Sequence, residues 1–246
     1  MRRIGFSTGA IAKGDFRKAI RTLELLASRT NAIELSALRE DELDSLVDAI
    51  PHLDLRRFEY VSFHAPSSRV RFSENEFVQR LKRVALHTSN IVVHPDVIEH
   101  ATEWESIQEY VILENMDQRK GGARTVKELQ RYFDALPSAR FCFDIGHARQ
   151  VDPTLSVAVE LIRAFADRLA EIHVSEVDAA SKHVAISFAA MESYRRIAAL
   201  IPGDVPAIIE SMVSPDELND EVQIALASLG GPLPESAPCE SRVVIG

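Results

Sequence analysis

Phe141-Cys142-Phe143-Asp144-Ile145-Gly146-His147 is the stretch that decides how the chain is read. Three apolar residues suit a strand buried on both faces, yet the run ends in an acid and, three residues later, a histidine. Neither group sits in an apolar interior without partners. Five other apolar runs end the same way: Val61-Ser62-Phe63-His64, Ile91-Val92-Val93-His94, Val111-Ile112-Leu113-Glu114, Ala170-Glu171-Ile172-His173 and Ala207-Ile208-Ile209-Glu210. Strands that each deliver an imidazole or a carboxylate at the same end describe one converging site.

Working outward, residues 3–7 and 32–36 add two more strands, the second carrying Glu34 within it. Helical periodicity falls between the strands, with Asp15 as an N-cap for a helix reaching about Ser28 and with Ile20, Leu23, Leu26 and Ala27 as its apolar stripe. Further helices are expected over residues 41–50, 74–86, 97–108, 125–136, 152–168 and 188–200. Ser214-Pro215-Asp216-Glu217 is a strong start for a last one. Thr8-Gly9-Ala10 and residues 175–183 read as loops. Eight strand-helix units predict a parallel sheet closed into a single (β/α)8 TIM barrel of the α/β class, with the active site at the C-terminal ends of the strands. A dinucleotide-binding fold would want a glycine-rich turn after the first strand, which Ser7-Thr8-Gly9-Ala10 does not supply. Residues 1–230 are expected to form the barrel and residues 231–246 a tail, whose Val243-Val244-Ile245 is a candidate to dock back on it.

The 246 residues carry a net charge of -9, which argues against a nucleic-acid partner, and no basic stripe with interleaved aromatics is present. Cys142 and Cys239 form no spaced motif, so a reducing, cytoplasmic setting is the default. No apolar leader and no run of membrane-spanning length is found in the sequence, so neither export nor a membrane partner is expected. Oligomeric state is left open.

His64, His94, Glu114, Asp144, His173 and Glu210 mix nitrogen and oxygen donors of the kind that Zn²⁺, Mn²⁺, Mg²⁺ or Fe²⁺ takes, and their carboxylates repel one another unless cations are bound. One or two divalent ions per chain are expected. Arg119, Lys120 and Arg124 flank Gly121-Gly122 and are candidates to receive a substrate phosphate, although a charged loop is more often simply solvated. Glu34 is either a partner that orients a ligand or half of a barrel-interior ion pair.

The succession Phe63-His64-Ala65-Pro66, Val93-His94-Pro95, Leu113-Glu114-Asn115, Phe143-Asp144-Ile145-Gly146-His147, Ile172-His173-Val174 and Ile209-Glu210-Ser211 resembles the xylose-isomerase-like TIM-barrel superfamily. That superfamily contains sugar and sugar-phosphate isomerases and epimerases and the relatives of endonuclease IV. The resemblance implies that Glu114, Asp144, His173 and Glu210 hold one divalent metal, and that His64 and His94 hold a second together with a bridging Glu114. It further implies that His147 and His183 match two ligands of the endonuclease's third metal, where Ser181 replaces an expected aspartate and Asp178 is a candidate substitute. His147 is equally a candidate to contact substrate. The first function implied is a metal-dependent isomerase or epimerase of a small sugar or sugar phosphate, with Glu114 and Glu210 as acid and base beside a carbonyl. The alternatives are a di- or trinuclear phosphoesterase and a barrel that binds without turnover.

Overall fold

A computed structural model describes residues 2–26 and 29–233 of the chain. Ala27, Ser28, Cys239 and the apolar Val243-Val244-Ile245 lie outside the described residues. Eight parallel strands close into a barrel: β1 (Ile4–Ser7), β2 (Ala32–Ser36), β3 (Tyr60–His64), β4 (Ile91–Val93), β5 (Val111–Glu114), β6 (Arg140–Asp144), β7 (Leu169–Val174) and, after a short antiparallel hairpin of β8 (Glu176–Val177) and β9 (His183–Val184), β10 (Ala207–Ile209). Each barrel strand pairs with its neighbour in sequence, and β1 closes the ring against β10 through Ile4 opposite Ala207. Gly5 makes the other seam of β1 possible. A Cβ there would lie 1.7 Å from the Ala32 carbonyl oxygen, so any other residue would push β1 off β2.

Ten helices lie among the described residues: α1 (Thr8–Ala12), α2 (Phe16–Glu24), α3 (Glu40–Ala49), α4 (Glu74–Val84), α5 (Ala101–Trp104), α6 (Val126–Ala135), α7 (Ile145–Val151), α8 (Ser156–Ala164), α9 (Phe188–Arg195) and α10 (Leu218–Ser228). Their starts follow local chemistry. Asp15 caps α2 by accepting from the Lys18 N–H, and capping boxes pair Ser73 with Glu76, Thr125 with Glu128 and Ser214 with Glu217. Each satisfies backbone donors that a first helical turn leaves free.

Several expectations change, among them the loop over residues 175–183, which holds the β8–β9 hairpin. Thr8-Gly9-Ala10 is not a loop but opens the short α1, whose Thr8 hydroxyl accepts the Ser36 N–H at 2.8 Å. The helix expected over residues 97–108 is broken into α5 between two 3₁₀ turns. The segment after Asp144 is helical at once: α7 begins at Ile145 with Asp144 as its N-cap, and α8 follows separately.

Strand pleating explains why the chemistry collects where it does. Phe141, Phe143, Ile91, Val93, Val111 and Leu113 pack outward into the main core against the helices. The residues between them, Val92, Ile112 and Cys142, form a small cluster on the opposite, inner face, and Ala32, Tyr60 and Ile208 form another. Two residues further along each strand the same inward parity reaches Glu34, Ser62, His94, Glu114, Asp144 and Glu210. The barrel interior is therefore ionisable at its mouth.

Candidate metal centre

Glu114 ends β5 with only 1% of its surface exposed, and its two oxygens face different neighbours. Oε2 lies 3.2 Å from His64 Nε2 and 3.2 Å from His94 Nε2. Oε1 lies 3.2 Å from His147 Nδ1 and 3.5 Å from His173 Nδ1. A carboxylate placed in this way is shared between two sets of imidazoles rather than spent on one.

The first set is His64 and His94. His64 Nδ1 donates to the Ala65 carbonyl at 2.8 Å, which leaves Nε2 as the atom that faces Glu114. The second set comes from β6, β7 and β10. One potential ligand atom from each of Glu114, Asp144, His173 and Glu210 lies within 4.8 Å of the others, and Asp144, His147 and His183 satisfy the same condition. Asp144 Oδ1 is engaged by the His147 N–H at 2.6 Å, whereas Oδ2 is buried without a hydrogen-bond partner. His173 Nδ1 and Glu210 Oε2 are buried and unpartnered too, 3.4 Å apart. Buried polar atoms are almost always satisfied. Three that are not, all aimed into one space lined by carboxylates and imidazoles, fit a divalent cation in number and in kind.

The electrostatics agree. Burial disfavours the charged form of Glu114, yet His173, His94 and His147 around it outweigh that and hold its carboxyl well below the usual range. Glu210 is likewise lowered, burial being overcome by His173 and His183. His64 works against its burial through Glu34, Glu114 and Glu210 and is pushed up to about 9; His147, beside Asp144 and Glu114, reaches about 10. Asp144 is raised to about 8, by burial first, against His147 and with the repulsion of Glu114 and Glu210. Burial dominates at His94 and His183, which are lowered. Carboxylates here hold protons on neighbouring imidazoles that a cation would displace.

Every residue expected at the site therefore gathers at the mouth: His64, His94, Glu114, Asp144, His147, His173 and Glu210 directly, and His183 through the hairpin. His183 Nδ1 lies 2.8 Å from Ser175 Oγ and 3.4 Å from Glu210 Oε2. Asp178 does not take the place vacated at Ser181, because its Oδ1 caps the hairpin turn by accepting from Ala180 and Lys182. Asp117 does lie against Ser181, whose hydroxyl donates to it at 3.1 Å, with Arg119 bonded to the same carboxylate. Arg119 and Lys120 line the mouth, whereas Arg124 turns to Glu128. Sequence reasoning missed Asp117 and Asn115. It also passed over Glu171, although Glu171 and His173 share strand parity, a signal that was available.

The mouth opens to a cavity of about 280 Å³ lined by Lys13, Arg119, Lys120 and, among the histidines, His64, His94, His147 and His183. Gly146 keeps α7 close to it, since a Cβ there would meet the Ser175 carbonyl oxygen at 2.7 Å.

Similar architecture is found in solved structures. Endonuclease IV from Thermus thermophilus superimposes with a TM-score of 0.58 at 19% identity, covering 93% of this chain and 99% of that one. SacUVDE gives 0.54 at 15% identity over 94% of this chain and 100% of its own. A putative sugar phosphate isomerase/epimerase from Anabaena variabilis ATCC 29413 gives 0.53 at 13% identity, covering 98% and 93%. The fold is a (β/α)8 TIM barrel, shared with these three structures. No family model matches the chain, and no curated protein matches it in sequence. At these identities the likeness carries the fold, and the reaction has to be argued from the site. Among the described residues no helix is long and apolar enough to cross a membrane.

Proposed function

We propose that this barrel is a divalent-metal-dependent phosphoesterase that works with more than one ion in its mouth. The observation that carries the reading is the divided carboxylate of Glu114, whose Oε2 serves His64 and His94 while Oε1 serves His147 and His173. A single-ion isomerase needs only Glu114, Asp144, His173 and Glu210, and leaves His64 and His94 without a task. Under the proposal, Asp144, His173 and Glu210 hold one ion with Glu114, while His64 and His94 share Glu114 toward another. His147 and His183 border a third position beside Asp144. Divalent ions held there supply Lewis-acid polarisation of a phosphoryl oxygen and neutralise charge that builds on it.

The chain's own groups do the rest. Lys13, Arg119 and Lys120 line the same cavity and orient an anionic ester. Lys13 is exposed and makes no ion pair among the described residues, so its charge is available, whereas Lys120 is held at 2.7 Å by Asp96. Asn115 fixes the His147 ring through its carbonyl, which receives Nδ1–H at 3.0 Å and so leaves Nε2 to face the cavity side and exchange a proton with substrate. Leu38 and Met212 add exposed apolar surface to the rim.

A second reading, the isomerase or epimerase, is favoured by the modest volume of the mouth, which suits a sugar phosphate, and by two carboxylates, Glu114 and Glu210, converging on Nδ1 of His173 at 3.5 and 3.4 Å. The experiment that separates the two gives protein loaded with Zn²⁺ or Mn²⁺ three substrates in parallel: bis(p-nitrophenyl) phosphate, abasic duplex DNA, and ketose phosphates in deuterated water. Phosphodiester cleavage that stops on chelation supports the proposal. Deuterium uptake into a ketose without any ester cleavage overturns it in favour of the second reading.

A further inference from the structure

Below the mouth, inside the barrel, lies a polar group that the proposed reaction does not use. Glu171 on β7 is fully buried and accepts three hydrogen bonds: from Tyr60 Oη at 2.5 Å and Ser62 Oγ at 3.2 Å, both on β3 across the barrel, and from His173 Nε2 at 2.9 Å. Glu34 on β2 approaches the same imidazole nitrogen at 3.2 Å, yet neither of its oxygens has a hydrogen-bond partner. Two carboxylates thus compete for one N–H. They are not equivalent: three donors meet Glu171, whereas neither oxygen of Glu34 has a hydrogen bond.

We propose that Glu171 is the positioning residue of the metal centre: anchored by Tyr60 and Ser62, it takes the Nε2 proton of His173 as a hydrogen bond and so commits Nδ1 to the ion shared with Glu114, Asp144 and Glu210. The inference rests on the metal reading above and adds to it the direction from which His173 is held. The geometry follows from strand pleating. Glu171 and His173 are two residues apart on β7, so both point into the barrel, one layer apart. His173 Nδ1, without a partner and 3.4–3.5 Å from Glu210 and Glu114, is then left with its lone pair toward the mouth. A carboxylate behind a ligating imidazole fixes ring orientation and tautomer and raises the basicity of the other nitrogen; losing such a partner costs about 10–100-fold in metal affinity. Ordinary barrels fill this layer with branched aliphatic residues. Here it holds Ser62, Glu171 and Glu34, with Tyr60 beneath.

The test uses the full chain and Zn²⁺ alone as probe. Wild type, Glu171→Gln, Tyr60→Phe and Glu34→Gln are stripped by chelation, checked for fold by circular dichroism and titrated calorimetrically; the zinc-loaded forms are then examined by long-range proton-nitrogen NMR. Wild type is expected to show His173 protonated at Nε2 with a downfield, slowly exchanging proton. Glu171→Gln should lose that downfield proton and about 10–100-fold of its Zn²⁺ affinity. Tyr60→Phe, which keeps all four ligands, should weaken Zn²⁺ in the same direction by a smaller factor, and it stands in if the glutamine variant does not fold. Glu34→Gln should stay within about threefold of wild type, a loss well short of that for a lost carboxylate partner. Equal losses in Glu34→Gln and Glu171→Gln, or unchanged affinity in Glu171→Gln and Tyr60→Phe, overturn the assignment while leaving the metal reading intact. A wild type that binds no Zn²⁺ overturns both.

Discussion

Filling the mouth with metal must expel protons, and their number can be worked from the site. Without metal, the surrounding carboxylates hold His64 at about 9 and His147 at about 10, and burial among like charges holds Asp144 at about 8. At pH 7.5 these three groups together retain about 2.5–3 protons, whereas the same groups at their ordinary values would retain about 0.2. His173, raised as well, adds to the count. Ligands bind as neutral imidazole and as carboxylate, so saturation with Zn²⁺ should release at least about two protons per chain. The apparent affinity should then climb about 10²–10³-fold between pH 6.5 and 7.5, because each displaced proton contributes about a factor of ten per pH unit. The assay is calorimetric titration in two buffers whose ionisation heats differ, which separates proton release from intrinsic binding heat. A release below about 0.5 proton at pH 7.5 would refute the claim that carboxylates keep the imidazoles charged until metal arrives.

Other consequences are open to simpler measurements. Elemental analysis of His64→Ala should find one ion fewer per chain than wild type, and unchanged stoichiometry would remove the ground for a second metal. In the presence of chelator, His64 and His147 are raised above their unfolded values, so they stabilise the fold fully below about pH 6.5 and lose that contribution as the pH climbs through about 9 and 10. Asp144, raised to about 8, works in the same sense; urea midpoints of the metal-free protein should therefore fall between pH 6.5 and 10, and a rise would contradict the assigned protonation. Gly146→Ala should cost about 1–3 kcal/mol and lower the melting temperature, because its Cβ meets the Ser175 carbonyl oxygen. Gly203→Ala, with open space at that Cβ, is the control and should melt within a degree or two of wild type.

The fold was readable because its signal is repeated. The strands are short apolar runs, several crossovers carry capping chemistry such as Thr125 with Glu128, and imidazoles and carboxylates recur at one end of the strands. What escaped was governed by neighbours distant in sequence. The turn Thr8–Ala12 looks like a loop by composition, but its helix is tied to β2 through Thr8 and Ser36. Residues 97–108 read as one helix, yet they fold as α5 and two 3₁₀ turns, with buried Trp104 packed on Phe77 and donating to Glu74. At the site, strand ends pointed to the candidate ligands; Glu171 shares parity with His173, but its anchor, Tyr60, is 111 residues away, and Asp117 meets Ser181 64 residues away. The choice between one ion and several depends on which way two oxygens of one side chain face, and no sequence pattern encodes that.

Asn115 shows how such a mouth can change without losing its grip. Its side chain donates to the Asp144 carbonyl and accepts the Asp144 N–H, both at 2.9 Å, so an amide continues the β5–β6 ladder for one more rung after the backbone has left it. Glu114 and Asp144, on either side of that rung, are thereby tied to the barrel and not to the loop that follows. Residues 116–125 hang beyond the seal, carrying Asp117, Arg119 and Lys120 to the rim. Exchange of that loop would alter what the barrel admits while the ligands stay in register. Selection could then rework the rim and the carboxylate-imidazole cluster as separable parts of one chain.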